Sequence, residues 1–336
     1  MIYSASGDRY AKMEYRPSGK SGLKLPLVSL GLWHSFGHCD NYDNMVEMCL
    51  TAFDNGITHL DLANNYGPPH GAAEENFARI INGPLKPHRD ELVISTKAGY
   101  QMWDGPYGDW GSRKYILASL DQSLERMKLD YVDIFYHHRM DPDTPLEESM
   151  SALDTAVKSG RALYAGISNY DRQTTKRAME ILKGLNCPFI INQIRYSIFD
   201  RHIEQDDLKS FARENGLGLI AFSPLAQGML SDRYLQAVPD GSRASKAAEM
   251  KARGALSTAD LTEERRHQLL KLNEIAKERG QTLAQMALSW VLRDGDVTSV
   301  LIGASKPSQI LENIEIVGRT AFSESERTAI DRVSPA

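Results

Sequence analysis

Short runs of apolar, β-branched and aromatic residues recur along the chain, and each is followed by a stretch of helical periodicity. The runs are Leu27–Leu30, Ile57–Leu62, Leu92–Thr96, Tyr131–Tyr136, Ala162–Ile167, Phe189–Gln193, Leu217–Phe222 and Ser299–Ile302. Most are continuously apolar, the pattern of parallel strands covered on both faces. Between them, Met45, Met48, Cys49, Ala52 and Phe53 form one helical stripe ended by Gly56. Ile116, Leu117, Leu120, Leu124 and Met127 form another. Three capping boxes are expected. They are Thr144 to Glu147, with Pro145 at the first helical position, Thr282 to Gln285, and Ser323 to Glu326.

Eight strand–helix repeats predict an α/β chain folded as a (β/α)8 TIM barrel. The competitor is an open doubly wound sheet. It normally carries a glycine-rich turn after its first strand, and no G-x-G-x-x-G occurs here. An N-terminal β-hairpin over Met13–Leu25, with Gly19 and Gly22 at its turn, is expected to plug the barrel bottom. Two helices, Thr262–Gly280 and Thr282–Arg293, precede the last strand where one would suffice. Residues 224–261 are far longer than an ordinary connection and read as a functional loop. No linker divides the chain, so residues 1–336 read as one domain.

Composition acts only by exclusion. Lys plus Arg is 39 and Asp plus Glu is 44, a net charge of −5, so there is no electrostatic case for nucleic acid or an anionic membrane. No apolar run approaches the ~18–20 residues of a spanning helix. Met1 to Lys20 lacks an apolar signal core. Cys39, Cys49 and Cys187 are scattered without a C-x-x-C, which points to a reducing, cytoplasmic setting.

In a barrel of this kind the chemistry sits at the C-terminal ends of the strands. Those ends carry Asp61, with Tyr66 in the next loop, then Lys97, His137-His138-Arg139, Ser168-Asn169, Gln193, Phe222-Ser223-Pro224 and Gly303-Ala304-Ser305-Lys306. The strand bodies between them read as apolar. A phenol with a pKa near 10 is a poor acid or base at neutral pH. A nearby ammonium is expected to lower that pKa, and a paired carboxylate to hold the ammonium charged. A histidine beside the phenol can hydrogen-bond a substrate oxygen. Such a group suits protonation of an alkoxide forming from a carbonyl, with the hydride coming from a cofactor.

Other features read more plainly. His137 is expected to pack against the barrel wall. His34, His38 and Cys39 have metal-like spacing, but this chemistry needs no metal and none is expected. Gly19-Lys20-Ser21 ends like a phosphate-binding loop, yet Glu14 stands where its first glycine belongs. Trp33, Trp103 and Trp110 are candidates for a substrate wall. Arg139 and Arg113 are candidates for a substrate phosphate.

Over nearly its whole length the chain resembles the aldo-keto reductases. The likeness rests on D-L-A-N-N-Y-G at 61–67, S-T-K at 95–97, Y-V-D-I-F-Y-H-H at 131–138 and G-I-S-N-Y at 166–170. It continues through N-Q-I at 192–194, S-P-L-A-Q-G at 223–228 and V-L-I-G-A-S at 300–305. The resemblance implies Asp61, Tyr66, Lys97 and His138 as the catalytic set, with Tyr66 as general acid. It implies NADP(H) as cofactor. Ser168, Asn169 and Gln193 would hold the nicotinamide carboxamide, and Phe222 would stack on the ring. Ser223, Pro224, Leu225, Ala226, Gln227, Gly228 and Arg233 would lie over the pyrophosphate, in a loop (224–261) that covers the cofactor. Arg243, Ile302, Gly303, Ser305, Gln309, Glu312 and Asn313 match the adenosine and 2′-phosphate end, and Gly31, Trp33 and Asp61 complete the cofactor set. Trp33, Tyr66, Trp103 and Arg139 are the implied substrate residues.

A helix starting near Pro307, with Ser305 and Lys306 before it, is a natural phosphate site and favours NADPH. Ala304 and Gln309 stand where many members carry Lys and Arg, a pattern closer to the branch with potassium-channel β subunits, which still bind NADP. The segments G-L-W-H-S-F-G-H, N-N-Y-G-P-P, T-K-A-G-Y-Q-M-W-D-G-P-Y-G and G-S-R-K-Y resemble the bacterial L-glyceraldehyde 3-phosphate reductases of the same branch. The implied function is NADPH-dependent reduction of small aldehydes or ketones, glyceraldehyde 3-phosphate-like or methylglyoxal-like. The alternatives are an NADPH-binding regulatory subunit like those of the channels, or a detoxifying reductase of larger aldehydes. His138 stands where the channel subunits carry Asn, which favours an enzyme. The expected partner is a small carbonyl compound, not nucleic acid or membrane. A homo-oligomer, tetrameric or larger, is expected from the branch.

Overall fold

The alternating pattern resolves into a closed parallel barrel in the computed structural model, which describes residues 3–235 and 260–335. The barrel strands are β3 (Val28–Gly31), β4 (His59–Asp61), β5 (Val93–Ala98), β6 (Val132–His137), β7 (Ala162–Ser168), β8 (Phe189–Arg195), β9 (Gly218–Phe222) and β10 (Ser299–Ile302). They run round the barrel in chain order, and β10 closes it against β3. Each lies within two residues of its expected run.

The helices between them are amphipathic and turn their apolar faces to the strands. They are α1 (Tyr42–Asp54), α2 (Ala72–Ile81), α3 (Arg113–Met127), α4 (Leu146–Lys158), α5 (Arg172–Gly184), α6 (His202–Gln205) and α7 (Leu208–Asn215). In α1 the buried residues are Met45, Met48, Cys49, Ala52 and Phe53, the stripe read from spacing. Two helices, α8 (Glu263–Glu278) and α9 (Leu283–Leu292), precede β10, and α10 (Pro307–Ile314) and α11 (Glu324–Val333) follow it. The capping boxes at Thr282/Gln285 and Ser323/Glu326 form.

The box at Thr144 does not form. Pro145 takes the N-cap of α4 without a side-chain cap, and the Thr144 hydroxyl donates instead to Asp141 Oδ2 at 2.6 Å. A buried carboxylate is the stronger acceptor, and Asp141 also gathers the backbone N–H groups of Gly111 and Asp143.

The hairpin is present as β1 (Tyr15–Pro17) and β2 (Lys24–Pro26). Its Leu25 is buried in the barrel interior with Ile134, Ile191, Ile220 and Leu301. The turn fits against the barrel floor so closely that only glycine is accommodated. Gly19 sits at φ +57°, and a Cβ there would lie 2.0 Å from the carbonyl oxygen of Gly216. Lys20 N–H donates to that same oxygen at 2.9 Å, so Gly19-Lys20-Ser21 is a structural turn.

One expectation needs correction. The strand bodies are not uniformly apolar: Ser29, His59, Ser95 and Ser299 are buried on β3, β4, β5 and β10. Side chains alternate along a strand, so His59 shares the inward face with Asp61, and Ser95 with Lys97. The interior is therefore apolar along β6, β8 and β9 and hydrogen-bonded along the opposite half. Of the long loop, residues 236–259, including Arg243, lie outside the described residues. Among the described residues no helix is long and apolar enough to cross a membrane.

Candidate active site

Parallel register lines up the expected residues at one rim. Gly31 pairs with Asp61, Lys97 with Tyr136, Ser168 with Gln193, and Phe222 with both Arg195 and Leu301. Tyr66 comes from the loop after β4. Its own N–H donates to Ala63 O at 3.1 Å, and its carbonyl accepts from Ala73 N–H at 3.2 Å at the start of α2. These bonds turn the chain back so that the phenol returns over the strand ends.

The centre of the arrangement is Lys97. Its ammonium is fully buried and donates to Asp61 Oδ2 at 2.5 Å, to Leu62 O at 2.7 Å and to Tyr66 Oη at 3.3 Å. Asp61 is equally buried, and its other oxygen accepts from Ser95 Oγ at 2.6 Å and Gln193 Nε2 at 3.2 Å. A buried ion pair of this kind holds only because the remaining lone pairs and protons are met. Burial pulls the Lys97 ammonium below its ordinary value, and the Asp61 charge opposes that pull.

His138 and Trp33 flank the phenol. The His138 ring lies edge-on to Tyr66 at 6.1 Å and perpendicular to Tyr100 at 4.7 Å. Its Nδ1 is buried without a hydrogen-bond partner among the described residues. Trp33, 44% exposed, stacks on Tyr66 at 5.8 Å and forms an open wall.

The expected lowering of the Tyr66 pKa is reversed. Burial raises the phenol well above its ordinary value, and the Asp61 and Tyr100 charges raise it further. Lys97 does not overcome this, because its charge is largely met by Asp61 at the shorter distance. The phenol is therefore held protonated. His138 is driven well below its ordinary pKa, first by burial and then by Lys97, His137 and Arg139, so it is neutral at working pH.

Three buried histidines give a stability prediction. His59 and His137 are each lowered by burial from 6.5 to about 4, and burial also lowers His138. Between the folded and unfolded values the unfolded chain binds more protons, so stability is present above pH 6.5 and is lost as pH falls. His59 and His137 should each cost about 1.5 kcal/mol between pH 6.5 and 5, and His138 acts in the same direction. His202, raised by Asp200, acts in the opposite sense. Urea midpoints across that window check this; a flat profile would contradict it.

The remaining expected residues fall into three groups. Ser168, Asn169 and Gln193 adjoin on β7 and β8, where Asn169 Nδ2 donates to Ser168 Oγ at 3.1 Å and to His138 O at 3.0 Å. Half-buried Phe222 ends β9 beside them, and its ring packs against the inner cluster. Hydroxyl and carboxamide donors beside an aromatic face suit the amide and ring of a nicotinamide. After β9 the backbone adopts positive φ at Ser223, Ala226, Gln227 and Gly228, and Pro224 and Leu225 bridge the turn. Arg233 is exposed in the short turn Asp232–Tyr234 that follows.

At the far end, Ile302 closes β10 and Gly303 leads to the start of α10. Exposed Ser305 is bound to Gln309: its N–H donates to Gln309 Oε1 at 2.8 Å. Asn313 is buried and Glu312 exposed on α10. The donor set thus fits an extended dinucleotide from Phe222 to α10.

Arg139 is not a free cation. It donates to Gly99 O at 2.6 Å, pairs with Asp109 at 2.8 Å, and lies between the rings of Tyr100 and Trp110 at 4.2 and 3.5 Å. Arg113 is bonded to Ser151 O at 3.1 Å. Trp103 packs on Tyr115 at 5.2 Å, and Tyr115 bridges Asn64 and Tyr100 O. His137 is a packing residue as expected, with Nδ1 2.6 Å from Tyr170 Oη. His38 pairs with Glu75 at 2.7 Å. Tyr100, His59 and Ser95 were not singled out from sequence. Inward alternation two residues before Asp61 and Lys97 was the available signal for the last two.

The chain is 52% identical over 332 residues to the L-glyceraldehyde 3-phosphate reductase of Escherichia coli K12, an alignment covering 99% of this chain and 95% of that protein. The corresponding protein of Escherichia coli O157:H7 gives the same identity and coverage. A probable voltage-gated potassium channel subunit beta of Arabidopsis thaliana is 35% identical over 309 residues, 91% of each chain. The model of the Aldo/keto reductase family matches residues 27–335. With the family model matching residues 27–335 and similarity along almost all its length, this closed-barrel chain belongs to the aldo/keto reductase family and is an oxidoreductase of that family.

Proposed function

We propose that this chain, acting as one domain, reduces small aldehydes and ketones to alcohols with NADPH, and that its own substrates are short-chain, glyceraldehyde 3-phosphate-like or methylglyoxal-like. The observation that carries the reading is the buried Lys97 ammonium joining Asp61 to the Tyr66 phenol beneath the wall made by Trp33. Ser168, Asn169, Gln193 and Phe222 would hold the nicotinamide, and the turn at 223–228 and Ser305 to Asn313 the rest. When bound, the reduced nicotinamide supplies a hydride to the carbonyl carbon.

The protein's part is the proton. Tyr66 donates from Oη to the substrate oxygen. An alkoxide is far more basic than a phenolate, so this transfer runs downhill even from a phenol raised by burial. Lys97, already 3.3 Å from that oxygen, meets the phenolate charge as it forms. Neutral His138 offers the substrate oxygen an N–H without competing for the proton. The similarity to an L-glyceraldehyde 3-phosphate reductase supports the small substrate, and the exposed Ser305 and Lys306 ahead of α10 support NADPH over NADH.

Steady-state kinetics test the reading. The panel is glyceraldehyde 3-phosphate, glyceraldehyde, methylglyoxal and a long-chain aldehyde, each with NADPH and NADH. NADPH should be preferred by about tenfold or more, the worth of one charge-assisted bond to a 2′-phosphate. Three-carbon aldehydes should outrun the long-chain one. Cofactor binding without turnover on any aldehyde would instead make the chain a binding subunit.

A further inference from the structure

The polar half of the barrel interior is one continuous chain of hydrogen bonds. Ser299 Oγ lies 2.7 Å from Ser29 Oγ, which lies 2.9 Å from His59 Nδ1. His59 Nε2 lies 2.9 Å from Ser95 Oγ, which donates to Asp61 Oδ1 at 2.6 Å. The five residues come from four neighbouring strands, β10, β3, β4 and β5, and all five are completely buried. Four of them stand below the site just described.

Proton counting orients every link. Asp61, held by the Lys97 ammonium at 2.5 Å, is ionised and only accepts. Ser95 has one hydroxyl proton, and it goes to Asp61. Ser95 must then accept from His59, so Nε2 carries the imidazole proton. With Nε2 protonated in a neutral ring, Nδ1 is an acceptor and Ser29 donates to it. Ser29 has no second proton, so Ser299 donates to Ser29 at 2.7 Å rather than to the more distant Leu27 carbonyl at 3.4 Å. Burial lowers the His59 pKa to about 4, consistent with a neutral ring. Hydrogen bonds in series polarise one another, so the last donor to the carboxylate is stronger than a lone serine would be.

We propose that His59 is a positioning residue for proton donation: as the neutral Nε2–H tautomer it closes a one-way chain, Ser299 to Ser29 to His59 to Ser95 to Asp61, that fixes the Asp61 carboxylate in place, turned towards Lys97. The proposal rests on the reading of Asp61, Lys97 and Tyr66 as the proton-donating group. It adds a residue two positions before Asp61 that never meets substrate or cofactor. Its effect falls on the proton step, so it should move kcat and leave KM and cofactor affinity alone.

The test has a spectroscopic arm and a kinetic arm. Long-range 1H–15N spectra of 15N-histidine-labelled protein are recorded at neutral pH, with His59→Gln assigning the resonances. His59 should show a pyrrole-type Nε2 and a pyridine-type Nδ1. An Nδ1–H tautomer or an imidazolium would overturn the proposal. In kinetics, Ser95→Ala, which keeps the volume around His59, and His59→Leu should each lower kcat about ten- to a hundredfold, the worth of a bond to a charged group. KM and NADPH affinity should hold. His59→Gln, with an acceptor at one end and a donor at the other, should recover most of the loss. Wild-type kcat in both Ser95→Ala and folded His59→Leu would equally overturn it. The tautomer readout does not depend on turnover, so it stands or falls apart from the assignment of Tyr66 as the acid.

Discussion

Tyr66→Phe should lower kcat for aldehyde reduction by about 10²- to 10⁴-fold, the usual worth of a placed proton donor, while NADPH affinity is unchanged. The substitution removes only Oη. The ring keeps its stack on Trp33, and the lost bond to Lys97 is a long one at 3.3 Å. Folding should therefore hold, and the loss is chemical. Burial keeps the phenol protonated across the working range, so no titration of Tyr66 should appear in reduction near neutral pH. Neutral His138 contributes no limb there either. Stopped-flow and steady-state rates with cofactor titration decide the matter. A variant that reduces aldehydes at the wild-type rate would remove Tyr66 from the mechanism.

Lys97→Met is expected to damage both stability and rate. It leaves the Asp61 carboxylate wholly buried opposite a thioether, with Ser95 and Gln193 as its remaining side-chain donors among the described residues. Removing one partner of a buried pair costs about 3–5 kcal/mol, because the charge left behind has neither water nor counter-ion. The carboxylate either stays charged and unpaired or takes up a proton at neutral pH, and both routes are unfavourable. Urea unfolding should show the loss directly. The double variant Asp61→Asn with Lys97→Met should recover much of the stability and none of the activity. That contrast separates the structural share of the pair from its chemical share. A single variant as stable as wild type would mean the pair is not isolated from water as its burial indicates.

How much of this was legible beforehand varies residue by residue. The stripe of α1 and the boxes at Thr282 and Ser323 were readable because each depends on neighbours three or four positions away. The Thr144 box failed because its competitor, Asp141, accepts from elements outside the local window. Asp61, Lys97 and Gln193 were readable as rim residues because strand ends are marked by the change from apolar to polar. Arg139 looked available for a phosphate because its stacking between Tyr100 and Trp110, and its pair with Asp109, are long-range events. The Tyr66 pKa was read with the wrong sign because the near ammonium was visible in sequence and the burial was not.

The sequence by itself determined the eight strand–helix repeats, the hairpin, the identity of the rim residues and the family likeness. Those are properties of spacing and residue type, carried along one dimension. Only the tertiary structure decided that the barrel is half polar inside, that Lys97 is shared between Asp61 and Tyr66, and that His59 stands between Ser29 and Ser95. Closure of the barrel sets residues from β10, β3, β4 and β5 within hydrogen-bond distance although they are up to 270 positions apart. Burial and the direction of a proton chain are sums over such neighbours, and they exist only once the barrel has closed.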